Sequence, residues 1–250
     1  LDRLIVEDGD IGDGSGGFVQ LTAAEGIDKL LVKNGSVASD VEIASTFDDI
    51  GYFEIEDGDF DGLLRAPSGT VGFFGVTGSD FGGRLDAERV DEFLIDGSME
   101  DGSSVTVEER VGFFRVGGNI DRGASAVLGE AATVSLGGSL NGTLVAERGG
   151  NVSVTVGNDF NGELVLGAEA TLNGDGTVAS LDFGQGPGGL MERASVSFSG
   201  DQARDATAYV NTNLDLYRVG RVDNGQLFVT GTTGTVDVNG NLGSSVFTFG

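Results

Sequence analysis

The chain has 250 residues, and its composition restricts its partners and its chemistry. Forty acidic residues and fourteen Lys or Arg residues give a net charge of −26, which excludes nucleic acid as a partner because phosphate binding requires clustered cations. Histidine and cysteine are absent, which excludes disulfides, ordinary zinc sites and nucleophilic sites built on either residue. No apolar run approaches the ~20 residues of a spanning helix, so no membrane span is expected.

The main signal is an internal repeat with an aliphatic residue at each end and phenylalanine in fourth place. Four clear copies are Ile50–Ile55, Val71–Val76, Val90–Ile95 and Val111–Val116. Weaker copies lie at residues 1–6, 27–32, 131–136, 151–156, 214–219 and 233–238, and Phe183 and Phe198 are assigned to two further ones. The copies recur about every 21 residues, which indicates a repeat architecture.

Two further short apolar pieces follow each copy. One has glycine, then Asp, Ser or Asn, then an apolar residue, as in Gly58–Gly62 and Gly138–Gly142. The other alternates apolar residues, as in Leu85–Ala87, Leu144–Ala146, Leu164–Leu166 and Leu227–Val229. Alternation of this kind with Val, Ile, Phe and Thr favours strands, and the 45 glycines suit the turns between them.

Three strands in about 21 residues predict an all-β protein, a right-handed parallel β-helix of about twelve turns. We expect one domain over residues 1–250, with irregular turns at 1–50 and a loop-rich interruption near 157–195. The predicted inner column consists of phenylalanine at 53, 74, 93 and 114, followed by valine at 134 and 154. The alternative is a β-propeller in which two repeats form one blade.

One segment has the spacing of a calcium-binding loop. Asp57, Asp59 and Asp61 alternate with other residues and precede a glycine, an arrangement that can place three carboxylates around one hard cation. The acid expected six residues after that glycine is replaced by Ser68. The segment is also a turn of the repeat, so a purely structural role is the other interpretation.

The residue after each turn glycine forms a column of small polar side chains. Its members are Asp10, Ser36, Asp59, Ser79, Ser98, Asn119, Ser139, Asp159, Asp201 and Asn241. Stacked turns would bring these side chains to about 5 Å from one another. Serine separates the aspartates in the early turns, which favours a hydrogen-bonded ladder over a ladder of metal ions.

A second column is aromatic and consists of Tyr52, Phe73 and Phe113, interrupted by Glu92. If these side chains point outward, they form a stripe suited to sugar stacking or to a protein partner. If a corner turns them inward, they belong to the core.

The repeated Gly58–Gly62, Gly138–Gly142 and Asn158–Gly162 units resemble those of large secreted repeat proteins and adhesins of environmental microbes. The resemblance implies an extracellular or cell-surface setting. We expect a structural or adhesive role there, and no catalysis because the chain has no histidine or cysteine. The alternative is a β-helix that binds or cleaves carbohydrate. Both end turns begin or close on apolar strands, so we expect them to be covered by another copy or by further turns of a longer chain.

Overall fold

The computed structural model describes residues 1–148, 152–157, 163–166, 170–174, 181–185, 194–198, 207–210, 214–222, 225–229, 232–240 and 242–249. These residues contain strands and turns and no helix. All strand pairs are parallel, and each joins residues one turn of the chain apart. The all-β parallel solenoid is therefore confirmed, and the propeller alternative is wrong because its blades would require antiparallel neighbours.

Each turn that is described in full has three sides, which are formed by two long ladders of strands and one column of single bridged residues. The first ladder contains β1 (Arg3–Glu7), β3 (Ile27–Lys33), β5 (Ile50–Glu56) and the carboxyl halves of β6 (Leu63–Thr77), β7 (Arg84–Ile95), β8 (Ser104–Val116) and β9 (Ser125–Leu136). It continues with β11 (Val152–Val156), β13 (Ala170–Gly174), β15 (Ala194–Phe198), β17 (Leu214–Val219) and β19 (Thr233–Val238).

The second ladder uses the amino halves of β6 to β9. The other members are β2 (Val19–Ala23), β4 (Val41–Ser45), β10 (Thr143–Arg148), β12 (Glu163–Leu166), β14 (Leu181–Gln185), β16 (Thr207–Val210), β18 (Gln226–Val229) and β20 (Val246–Phe249). The third side is a middle column of single bridged residues, namely Ile11, Val37, Phe60, Phe81, Met99, Ile120, Leu140, Val222 and Leu242.

The turns differ from one another in length, and the number of fully described turns differs from the expected number. Hydrogen bonds between adjacent turns join residues 26 and 23 positions apart at the amino end and 21, 20 and 18 positions apart further along. Each ladder contains twelve strands, but only about 8 turns have all three sides within the described residues. The expected count included turns within residues 149–213, which are described only in part.

The interrupted region predicted near 157–195 contains three described strands, β12, β13 and β14. Phe183 was assigned to the first ladder, but it pairs with Leu164 in the second ladder, which corrects that assignment. The first-ladder strand at this level is β13, and Phe198 pairs with its Gly174. Loops are also expected at 173–177 and 184–189, but residues 173–174 belong to β13 and residues 184–185 belong to β14, and the remainder of both lies outside the described residues.

The core is a stack of phenylalanine rings, as expected from the repeat. Phe53, Phe74, Phe93 and Phe114 are fully buried, and their ring centroids are 5.1, 5.1 and 4.7 Å apart along the column. Phe60 and Phe81 of the middle column meet them edge to face. In the following turns the same position is occupied by the buried valines 134 and 154, so the apolar interior is continuous from turn to turn.

Candidate functional site

The predicted calcium residues lie where the first ladder turns into the middle column. Asp57 has a left-handed backbone with a φ of 56°, as do Asp8 (55°) and Asn34 (52°) at the equivalent place in the preceding turns. Aspartate and asparagine tolerate this conformation, so the motif has a sufficient structural cause in the turn itself.

Asp59 and Asp61 lie on either side of the buried Phe60 and are both exposed. Partial desolvation, and then the charge of Asp59, raise the pKa of Asp61 above its ordinary value. Within the part of the chain that the structure describes, no group of three or more acidic side chains is arranged to hold a metal ion. Calcium binding at Asp57, Asp59 and Asp61 stays a prediction, and a melting temperature measured with and without chelator would test it.

The hydrogen-bonded ladder is confirmed. Each side-chain oxygen accepts the backbone N–H of the equivalent residue one turn on. The N···O distances are 2.7 Å for Asp10 with Ser36, 3.0 Å for Ser36 with Asp59, 2.6 Å for Asp80 with Ser98, 3.0 Å for Ser98 with Asn119 and 2.8 Å for Asn119 with Ser139. The expected members Asp159, Asp201 and Asn241 lie outside the described residues.

One member of the ladder was assigned wrongly. Asp80, not Ser79, accepts the N–H of Ser98. Gly78 has a φ of 78° and takes the left-handed position that Asp57 holds one turn earlier, so counting from the glycine misplaces the column by one residue. Asp59 and Asp80 are therefore adjacent members, with no serine between them.

The corrected register places five carboxylates on one acidic face, which the repeat pattern did not predict. It consists of Asp59, Asp61, Asp80, Glu100 and Asp121, which flank the middle column in successive turns. Desolvation raises the pKa of Glu100, and the charges of Asp80, Asp61, Asp59 and Asp121 raise it further. The carboxylates of this face therefore repel one another, which destabilises the folded state at neutral pH.

The aromatic column lies on the outer side of the first ladder and not in the core. Tyr52, Phe73 and Phe113 are half-buried, whereas the residue after each of them is fully buried. The rings of Tyr52 and Phe73 stack with centroids 4.7 Å apart and planes at 13°. The Lys29 Nζ lies 4.3 Å from the centroid of the Tyr52 ring, so the lysine cation is attracted to the π electrons of that ring.

The stripe is held in place along the strand. The Tyr52 hydroxyl donates a hydrogen bond to Glu54, and desolvation with that bond raises the pKa of Tyr52. The Phe73 ring covers Gly75, where an added Cβ would lie 2.6 Å from a ring carbon. Glu92 pairs with both Phe73 and Phe113 and interrupts the stripe, as expected.

A groove of about 710 Å³ runs along the corner that leads from the second ladder into the first. Its lining residues are Asp49, Thr70, Arg89, Asp91, Glu109, Arg110 and Glu130. Arg89 donates to Glu109 through both Nε, at 2.7 Å, and Nη2. Arg89 and Arg110 are register partners in adjacent turns.

Comparison with protein-family models, curated proteins and solved structures found no match for this chain. The resemblance to secreted repeat proteins and adhesins therefore stays a prediction. Among the described residues no helix is long and apolar enough to cross a membrane.

Proposed function

We propose that this chain is a structural or adhesive segment of an extracellular or cell-surface protein, that it has no catalytic role, and that its end turns associate with those of other copies. The observation that supports the proposal is the position of exposed large apolar side chains. Six of the seven such residues in the described ranges lie in the first or last turn: Leu1, Phe18, Val19, Leu242, Val246 and Phe249. Apolar surface gathered at two ends favours association there.

The first ladder has valine at the same position at both ends. Val6 pairs with Val32 at one end and Val238 pairs with Val219 at the other, so both occupy the same place in the turn. A copy stacked head to tail would bring Val238 beside Val6 and continue the apolar interior. Such a contact is heterologous and does not close, so it propagates into a fibre.

Charge does not oppose this contact at the carboxyl end. Asp237 is the only charged residue between 232 and 249, and its carboxylate lies 2.9 Å from the Nε of Arg218. A chain with a net charge of −26 thus has a nearly neutral last turn. We also propose that the coil is right-handed, since about 98% of parallel β connections are.

The test compares the chain with Phe249→Glu and, as a matched control, Phe47→Glu. Phe47 is 76% exposed and lies in the second turn, outside both end turns. Light scattering and electron microscopy should show concentration-dependent linear assemblies for the unmodified chain and for Phe47→Glu, and monomers for Phe249→Glu. Monomers of the unmodified chain at every concentration would contradict association between copies. Antibody labelling of intact and lysed source cells would test the extracellular location.

A further inference from the structure

We propose that the corner groove and the aromatic stripe beside it form a binding site for a neutral polysaccharide chain. The polar column of the groove is Asp49, Thr70, Arg89, Arg110 and Glu130, one residue from each of five successive turns. At ~4.8 Å per turn the column extends about 19 Å along the solenoid axis. This length suits an extended chain of several sugar units better than a small molecule.

The two columns run side by side with little between them. Tyr52, Phe73 and Phe113 each come three residues after a member of the polar column. Between the columns, three of the four turns have glycine, at positions 51, 72 and 112, and the fourth has Asp91. At those glycines an added Cβ would lie 2.6–2.8 Å from a carbonyl oxygen of the preceding turn, so the floor carries no side chain there.

The charges of the groove favour a neutral ligand rather than an anionic one. Two arginines face four carboxylates, those of Asp49, Asp91, Glu109 and Glu130. Arg89 is engaged with Glu109, whereas the exposed guanidinium of Arg110 has no ion pair among the described residues. Donors and acceptors are therefore both present along the groove, which suits hydroxyl groups, and an anionic polymer would meet a net negative wall.

The aromatic wall supplies the second half of saccharide recognition. The Tyr52 and Phe73 rings lie in nearly parallel planes with centroids 4.7 Å apart and are partly exposed, so their outer edges together present an apolar surface beside a polar groove. A sugar ring has apolar C–H faces and a rim of hydroxyl groups, and small-molecule sites commonly combine aromatic contacts with a few polar groups in this way.

The test is affinity electrophoresis in gels that contain one soluble polysaccharide each. The neutral probes are hydroxyethyl cellulose, a mixed-linkage β-glucan, xylan and mannan, and the anionic probes are alginate and polygalacturonate. We expect retardation by at least one neutral polymer and none by the anionic ones. Phe73→Ala and Arg110→Ala should each weaken the retardation constant about tenfold or more, which corresponds to about 1.4 kcal/mol.

A matched control separates this site from general effects. Arg122→Ala removes an exposed cation outside the groove and outside the end turns. It should bind as the unmodified chain does, and circular dichroism should show that all three variants fold. The proposal is overturned if no neutral polymer retards the chain, if only anionic polymers do, or if the groove variants bind unchanged. None of these outcomes depends on association between end turns.

Discussion

Replacing the buried Phe74 by alanine should destabilise the solenoid far more than replacing its sequence neighbour Phe73. Phe74 is fully buried and contacts four rings: two stacked at 5.1 Å and two edge to face at 5.5 and 5.7 Å. A buried Phe→Ala replacement costs about 3–5 kcal/mol, and the four ring contacts put this one near the upper limit.

Phe73 provides the matched comparison because it lies on the outer face. It stacks on one ring, that of Tyr52, and is only half-buried. Losing about half of a phenylalanine's burial, at ~1.5–3 kcal/mol for the whole side chain, and one aromatic pair at ~0.5–1.5 kcal/mol gives about 2 kcal/mol. The free energies of unfolding of the two variants should therefore differ by about 3 kcal/mol.

The assay is urea denaturation followed by far-ultraviolet circular dichroism, since the chain has no tryptophan to report by fluorescence. If Phe74→Ala does not fold, Phe74→Leu and Phe73→Leu are compared instead, and the Phe74 variant is expected to lose more because four ring contacts are lost rather than one. Equal losses for the Phe73 and Phe74 variants would refute the assignment of one ring to the core and the other to the surface. So would a Phe74→Ala loss below that of Phe73→Ala.

Three further outcomes are expected. The raised pKa of Glu100 means that the folded state binds the Glu100 proton more tightly than the unfolded state does. The free energy of unfolding should therefore rise as the pH falls toward the ordinary pKa of 4.5. Glu100→Gln should stabilise the chain at pH 7 and weaken this pH dependence, as measured by thermal melts at a series of pH values. Gly58→Ala would place a Cβ 2.0 Å from a carbonyl oxygen of Gly35 and should cost about 1–3 kcal/mol in urea melts, whereas Gly9→Ala, with nothing within 4 Å, should cost nothing. With a net charge of −26, the melting temperature should rise with sodium chloride concentration, and a flat response would show that repulsion is not limiting.

The class of fold could be predicted because one column dominates the packing. A parallel solenoid requires that the same inward position recur in every turn, and phenylalanine at 53, 74, 93 and 114 shows that recurrence directly. The regularity weakens where valine and other residues replace phenylalanine. Phe183 was misassigned for this reason: an isolated aromatic residue suits either ladder, and only strand pairing places it in the second.

The direction of the aromatic stripe could not be settled from the repeat alone. Ile50 and Phe53 both point inward, with two residues between them, so simple alternation fails in this part of the strand. The ladder shows the same difficulty at Asp80. Glycine marks a turn, but it takes the left-handed place in one turn and the close-packed place in another, so it cannot serve as a register mark.

The corner groove depends on loop lengths that no repeat pattern specifies. Both arginines of the polar column directly precede an inward valine of the first ladder, Val90 for Arg89 and Val111 for Arg110, so their stacking was present in the sequence. The corner before Arg110 is one residue longer than the corner before Arg89, and the register shifts there. Counting from the second ladder therefore does not align Arg89 with Arg110. Stacked like charges repel, yet two of only fourteen cations in the chain are neighbours here. Glu109 compensates one of them, and the other is left to interact with whatever enters the groove.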